Sequence, residues 1–132
     1  MSGAEMTWQS MLDYSREHQL LAKQLYVVFS EPTNGLGPIM EVVDEHVAYQ
    51  TKLELDGVMW AAGPMATPDE EEWLGDGLFM YRASSIEEAT GYAEADPMHR
   101  SGARTFRIRP WLLNEGSLTV RVLFSGGKPQ VD

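Results

Sequence analysis

The chain has 132 residues, the length of one ordinary domain. Hydrophobic residues make up 43% and charged residues 23%, a globular balance that excludes disordered and fibrous classes. Ten Lys and Arg against 20 Asp and Glu leave a net charge of -10, which argues against nucleic acid or anionic membrane partners, and the absence of Cys excludes disulfides and thiolate nucleophiles.

The opening MSGAEMTWQSMLDYSREHQ lacks the basic start and apolar core of a signal peptide, and no apolar run reaches the roughly 20 residues of a membrane span, so the expected location is cytoplasmic. Residues 5–23 carry Trp8, Met11, Leu12, Ser15 and Gln19 on one helical face, which predicts an added packing helix. The β-branched run LYVVFS (25–30), stopped by Glu31-Pro32 and the TNGLGP loop, predicts a first strand. From Pro38 to Asp56 the apolar residues recur at helical spacing, with Pro38 suited to a first turn and Asp56-Gly57 to a stop.

VMWAAGPM (58–65) and GLFMYRA (77–83) predict two further strands. The acidic insert between them, 67–76, predicts one short helical turn capped by Thr67 and started by Pro68. A capping box, Ser85-x-x-Glu88, opens a second long helix that Asp96-Pro97 closes. TFRIRPWLL (105–113) predicts a fourth strand and SLTVRVLF (117–124) a further C-terminal one.

The order βαββαβ is that of a ferredoxin-like α+β fold. Its first three strands are apolar on both alternating faces, whereas two helices cover only one face of such a sheet. A second copy of the sheet covers the other economically, which predicts a homodimer.

His46 lies on the first long helix among Val42, Val43, Val47, Gln50 and Leu53, so helical periodicity turns its ring inward. An inward histidine reads either as a paired core residue or as a base. Asp96 likewise reads as a helix-ending Asp-Pro or as a partner of His46, since both helices share one face of the sheet. In the second case its carboxylate fixes the tautomer and leaves the other ring nitrogen as a base.

LYVVFSEP, His46 within EHVAYQTKLELDGVMWAAGPM, SSIEEATGYAEADP and FRIRPW together resemble the YCII-related domain family of the dimeric α+β barrel superfamily. The resemblance runs from about residue 25 to 111. It implies a ferredoxin-like protomer, a dimer with facing sheets and a pocket holding a catalytic pair on His46 and Asp96. It also implies isomerisation or elimination on a small cyclic substrate, including dehydrochlorination. On this reading 1–23 is a helical extension, 24–113 the α+β domain and 114–132 a C-terminal extension.

Gly63, Pro64 and Met65 are candidate pocket walls or a plain strand ending; Trp60 and Trp73 are candidate flanks for a ring or core and lid residues. Arg107 and Arg109 share a strand face and read as a carboxylate-holding pair or, by preference, as exposed edge residues. The spacing of His46, Asp96 and His99 is not that of a metal site, and no phosphate-cradling glycine loop calls for a nucleotide, so no metal or cofactor is expected. The leading expectation is a small-molecule enzyme; the alternatives are a non-catalytic binder and a structural dimeric module.

Overall fold

The computed structural model describes residues 6–132, which group into two compact units: Gln24–Leu112, and the described residues up to Lys23 together with Leu113–Asp132. In chain order the elements are α1 (Trp8–Glu17), β1 (Lys23–Pro32), α2 (Gly37–Leu55), β2 (Met59–Pro64), β3 (Gly77–Tyr81), α3 (Ile86–Ala95), α4 (Pro97–Arg100), β4 (Arg104–Leu113), β5 (Val120–Arg121) and β6 (Gln130–Val131). Four of the strands form one sheet in the order β2-β3-β1-β4. That order, with α2 and α3 as the connecting helices, is the ferredoxin-like arrangement.

β3 pairs antiparallel with both neighbours, Val28 facing Phe79 and Phe79 facing Ala62 across the ladders. The two-residue period of the strands sends Tyr26, Val28, Phe79 and Tyr81 to one face. There they pack with Leu53 of α2 and with Ala89 and Ala93 of α3. The two alanines are fully buried, and their small side chains let α3 lie close on the sheet. A second cluster of Ile39, Met98 and Ala103, with Trp73 against it, closes the end of the unit where α4 sits. Val27, Phe29, Leu78 and Met80 alternate onto the opposite face and are buried or half-buried.

Helix ends follow local chemistry. Pro38 stands in the first turn of α2. Ser85 caps α3 by accepting from the Glu88 N–H at 3.1 Å, while the Glu88 carboxylate accepts from the Ser84 N–H at 3.0 Å instead of from the cap residue itself. α2 closes at Leu55, and Gly57, at φ 78°, supplies the left-handed turn before β2.

Three predicted elements differ. The N-terminal helix stops at Glu17, not at residue 23, and its predicted start at residue 5 lies outside the described residues. Gln19 adopts φ 61°, and the Gln19 and Leu20 N–H groups return to the carbonyls of Arg16 and Ser15 at 3.1 and 3.0 Å, a left-handed stop achieved without glycine. The 67–76 insert holds no helix, only one tight turn in which the Glu70 N–H reaches the Thr67 carbonyl at 2.8 Å. Glu70 sits at φ 64°, which interrupts helical progression, and the Thr67 hydroxyl donates to Asp69 and accepts from the Glu72 N–H, closing a loop.

The predicted C-terminal strand over 117–124 is reduced to Val120–Arg121, which pairs with Gln130–Val131 in a two-stranded ribbon separate from the main sheet. Within this unit Asn114 ties the chain down. Its carbonyl accepts from the Leu21 N–H at 3.1 Å, its side-chain oxygen from the Ala22 N–H at 3.1 Å, and its amide donates to the buried Ser15 hydroxyl at 3.0 Å. Among the described residues no helix is long and apolar enough to cross a membrane.

Candidate active site

His46 and Asp96, 50 positions apart in sequence, meet beneath the sheet. His46 projects from the middle of α2 and is 9% exposed; Asp96 is fully buried. Asp96 leaves the helical conformation at ψ 128°, which ends α3 and turns its side chain back over the start of α4. Its Oδ1 accepts the His46 Nδ1 proton at 2.7 Å and the Met98 N–H at 2.9 Å. Its Oδ2 accepts from Gln50 Nε2 at 3.0 Å.

Burial opposes ionisation of Asp96, but the hydrogen bond and charge of His46, with the Met98 N–H, outweigh it and hold the carboxyl below its ordinary range. The negative charge is felt nearby. Burial, followed by Asp96, pushes the Tyr49 hydroxyl up to about 12, and that hydroxyl stays protonated as a 2.7 Å donor to the Tyr92 carbonyl. With a carboxylate on Nδ1, His46 carries its proton there when neutral and its lone pair on Nε2. Among the described residues no group bonds Nε2, and His46 lines a cavity of about 380 Å³. That volume suits a small organic molecule.

The cavity is walled by aromatic and backbone surfaces. Trp60 stands at the bulge where β2 shifts register on β3, 39% exposed, with the Arg82 guanidinium 4.7 Å from its ring centre. Trp73, from the acidic insert, is held by its indole N–H to the Asp76 carbonyl at 2.8 Å. Gly63 and Pro64 line the cavity from the end of β2. Met65, expected beside them, is 46% exposed and does not line it. The Phe79 ring forms the floor, 5.6 Å centre to centre from the His46 ring.

Three further residues belong to this site, and the sequence pattern did not single them out for it. Gln50 orients Asp96, and its position one turn after His46 was the available signal. Phe79 appeared only as part of a strand. Arg104, the first residue of β4 and 5% exposed, reaches the cavity with its Nε–H donated to the Gly75 carbonyl at 2.7 Å. Arg107 and Arg109 take no part: the former pairs with Glu31 at 3.5 Å and covers Phe29, and the latter lies against the second face of the sheet.

His99 is the other histidine of this unit, half-buried, and its surroundings differ. Nδ1 donates to the Ala93 carbonyl at 2.7 Å and Nε2 accepts from the Ser30 hydroxyl at 2.7 Å, so both nitrogens are occupied. Burial lowers its pKa from the ordinary 6.5 and keeps the ring neutral. Among the described residues no three His, Cys, Asp or Glu side chains converge as a metal site requires.

Residues 24–112 match the YCII-related domain family. A solved structure of 5-chloro-2-hydroxyhydroquinone dehydrochlorinase (TftG) from Burkholderia phenoliruptrix AC1100, in complex with 2,5-dihydroxybenzoquinone, is similar at a TM-score of 0.55. The identity is 18%, and the alignment covers 66% of this chain and 92% of that one, a likeness of fold. No curated protein matches the sequence.

Proposed function

The chain belongs to the YCII-related domain family, and from that premise we propose that it is a small-molecule enzyme in which His46 acts as general base, oriented by Asp96, on a small cyclic substrate. The observation that carries the reading is a buried histidine that lines a cavity of about 380 Å³, with Nδ1 bonded to an ionised carboxylate and Nε2 unbonded among the described residues. In the first step Nε2 takes a proton from a carbon next to a carbonyl, and the C–H electron pair enters the ring as an enolate. The imidazolium so formed keeps its Nδ1 proton on Asp96, whose two oxygens stay acceptors for Met98 and Gln50.

Two outcomes follow from the enolate. Returning the proton to another atom of the ring isomerises it. Expelling a leaving group with its bonding pair, such as chloride, gives elimination, and His46 then loses the proton to solvent. The dehydrochlorinase of similar fold favours the second outcome. Homodimerisation belongs to the same proposal: Val27, Phe29, Leu78 and Met80, on the sheet face opposite the helices, suit contact with a second copy. Solution mass by light scattering tests it, with a monomer at all concentrations as the contrary result.

The catalytic test uses chlorinated hydroxyhydroquinones and enolisable cyclic ketones, following chloride release and solvent proton exchange. His46→Ala should lower turnover by roughly 10²- to 10⁴-fold while circular dichroism shows the fold retained. Full turnover in that variant refutes the base; binding without turnover in the wild type would make the protein a binder.

A further inference from the structure

Two buried side-chain atoms on residues that line the cavity have no partner among the described residues: Nη1 of Arg104 and Oε1 of Gln50. The third such atom, the Tyr81 hydroxyl, belongs to a residue in the core cluster between sheet and helices and not to the cavity lining. Buried donors and acceptors are ordinarily satisfied, so unpaired atoms gathered in one pocket mark what its occupant must supply. The orientation of the Gln50 amide is fixed, because its NH₂ faces the Asp96 carboxylate and its oxygen must therefore point away.

Arg104 is the more demanding group. The residue is 5% exposed, and its guanidinium holds one carbonyl through Nε and lies 5.9 Å from the Phe79 ring centre. Among the described residues no carboxylate comes within ion-pair distance of it. Burial lowers its pKa, and Asp96 and Asp76 act on it only through space, yet an arginine stays charged in a protein. A buried cation without an anion is costly, and its natural complement is an anionic oxygen, bound by charge-assisted hydrogen bonds.

The neighbouring backbone is cut to fit this guanidinium. A Cβ at Gly77 would stand 3.1 Å from Arg104 Nη1 and 3.0 Å from the Phe79 ring, so glycine at the start of β3 lets the fork lie against the chain. At Gly75, whose carbonyl anchors Nε, φ is 109° and a Cβ would meet Ile39 at 2.5 Å. His46 and Arg104 flank the same Phe79 ring at 5.6 and 5.9 Å. Both residues line the same cavity, so one small ring bound there can meet both.

We infer that Arg104 is the anion-binding residue of the cavity and that the protein takes a small cyclic substrate carrying a carboxylate or enolate oxygen, with a ring hydroxyl donated to Gln50 Oε1. The inference rests on the proposed site reading but names a binding requirement that turnover does not enter. It also gives the enolate of the proposed reaction a cationic partner at the end of the ring away from the base.

The test is binding of benzoate and its monohydroxy derivatives, against the corresponding neutral benzamides, followed by thermal shift and calorimetry. Wild type should be stabilised by the acids and not by the amides. Arg104→Gln should weaken the acids by roughly 10- to 100-fold, the worth of a hydrogen bond to a charged group. Arg104→Lys, which keeps charge without the fork, should fall between. His46→Ala should retain acid binding, so failure of the base assignment and failure of the anion site give different results. Equal binding of acids and amides, acid binding undiminished in a folded Arg104→Gln, or no stabilisation by any acid at millimolar concentration would each overturn the inference.

Discussion

His46 is buried and His99 half-buried beneath the same sheet, yet one ring has a nitrogen left over and the other has none. His99 spends Nδ1 on the Ala93 carbonyl and Nε2 on the Ser30 hydroxyl. His46 spends Nδ1 on a carboxylate and lines a cavity with Nε2 left unbonded among the described residues. Burial alone therefore does not separate a structural histidine from a chemical one. The count of committed ring nitrogens does, together with the charge of the partner: a carboxylate stabilises an imidazolium, whereas a carbonyl and a hydroxyl hold a neutral ring in place.

The largest effect that sharpens this contrast is expected at Asp96. Asp96→Ala removes the acceptor of three buried donors, from His46, Gln50 and Met98, and should cost about 3–5 kcal/mol in denaturant unfolding. An unchanged midpoint would mean that the carboxylate does not organise the site. Ser30→Ala comes next. It leaves the half-buried His99 Nε2 without its partner and should cost about 1–3 kcal/mol, with turnover per folded molecule unchanged. A parallel loss of activity would erase the distinction between the two histidines.

Acid stability gives the smallest expected effect and separates the two in pH. His99 has a lowered pKa, so the unfolded chain binds the proton more readily; its contribution is complete above 6.5 and is lost as pH falls through its depressed value. Asp96 is also lowered, but from 3.8, so its contribution is complete above 3.8 and is lost only at still lower pH. Unfolding free energy measured against pH should therefore decline in two windows, and His99→Gln should remove the upper one. A single acid transition unaffected by that substitution would contradict the assignment.

Much of this was legible in the chain because it depends on local pattern. The two-residue period of LYVVFS and the helical spacing around His46 are set by neighbours, and Ser85 and Pro38 announce their helix starts through single-residue chemistry. Gln19 and Glu70 adopt left-handed backbone without being glycine, so nothing local warned that a helix would stop or fail there. The meeting of His46 with Asp96 rested on family resemblance more than on spacing, since only the folded chain brings residues 50 positions apart together. Arg104 was illegible for the same reason: its burial comes from the loop at Gly75 and the start of β3, and in sequence it is one more arginine ahead of an alternating strand.

Solvent proton exchange into a bound enolisable substrate, followed by deuterium incorporation in His46→Ala and His99→Gln side by side, tests the central assignment most directly. Exchange should fall roughly 10²- to 10⁴-fold below the wild-type rate in His46→Ala and persist, per folded molecule, in His99→Gln. Exchange that survives in His46→Ala, or disappears equally from both folded variants, would contradict the account.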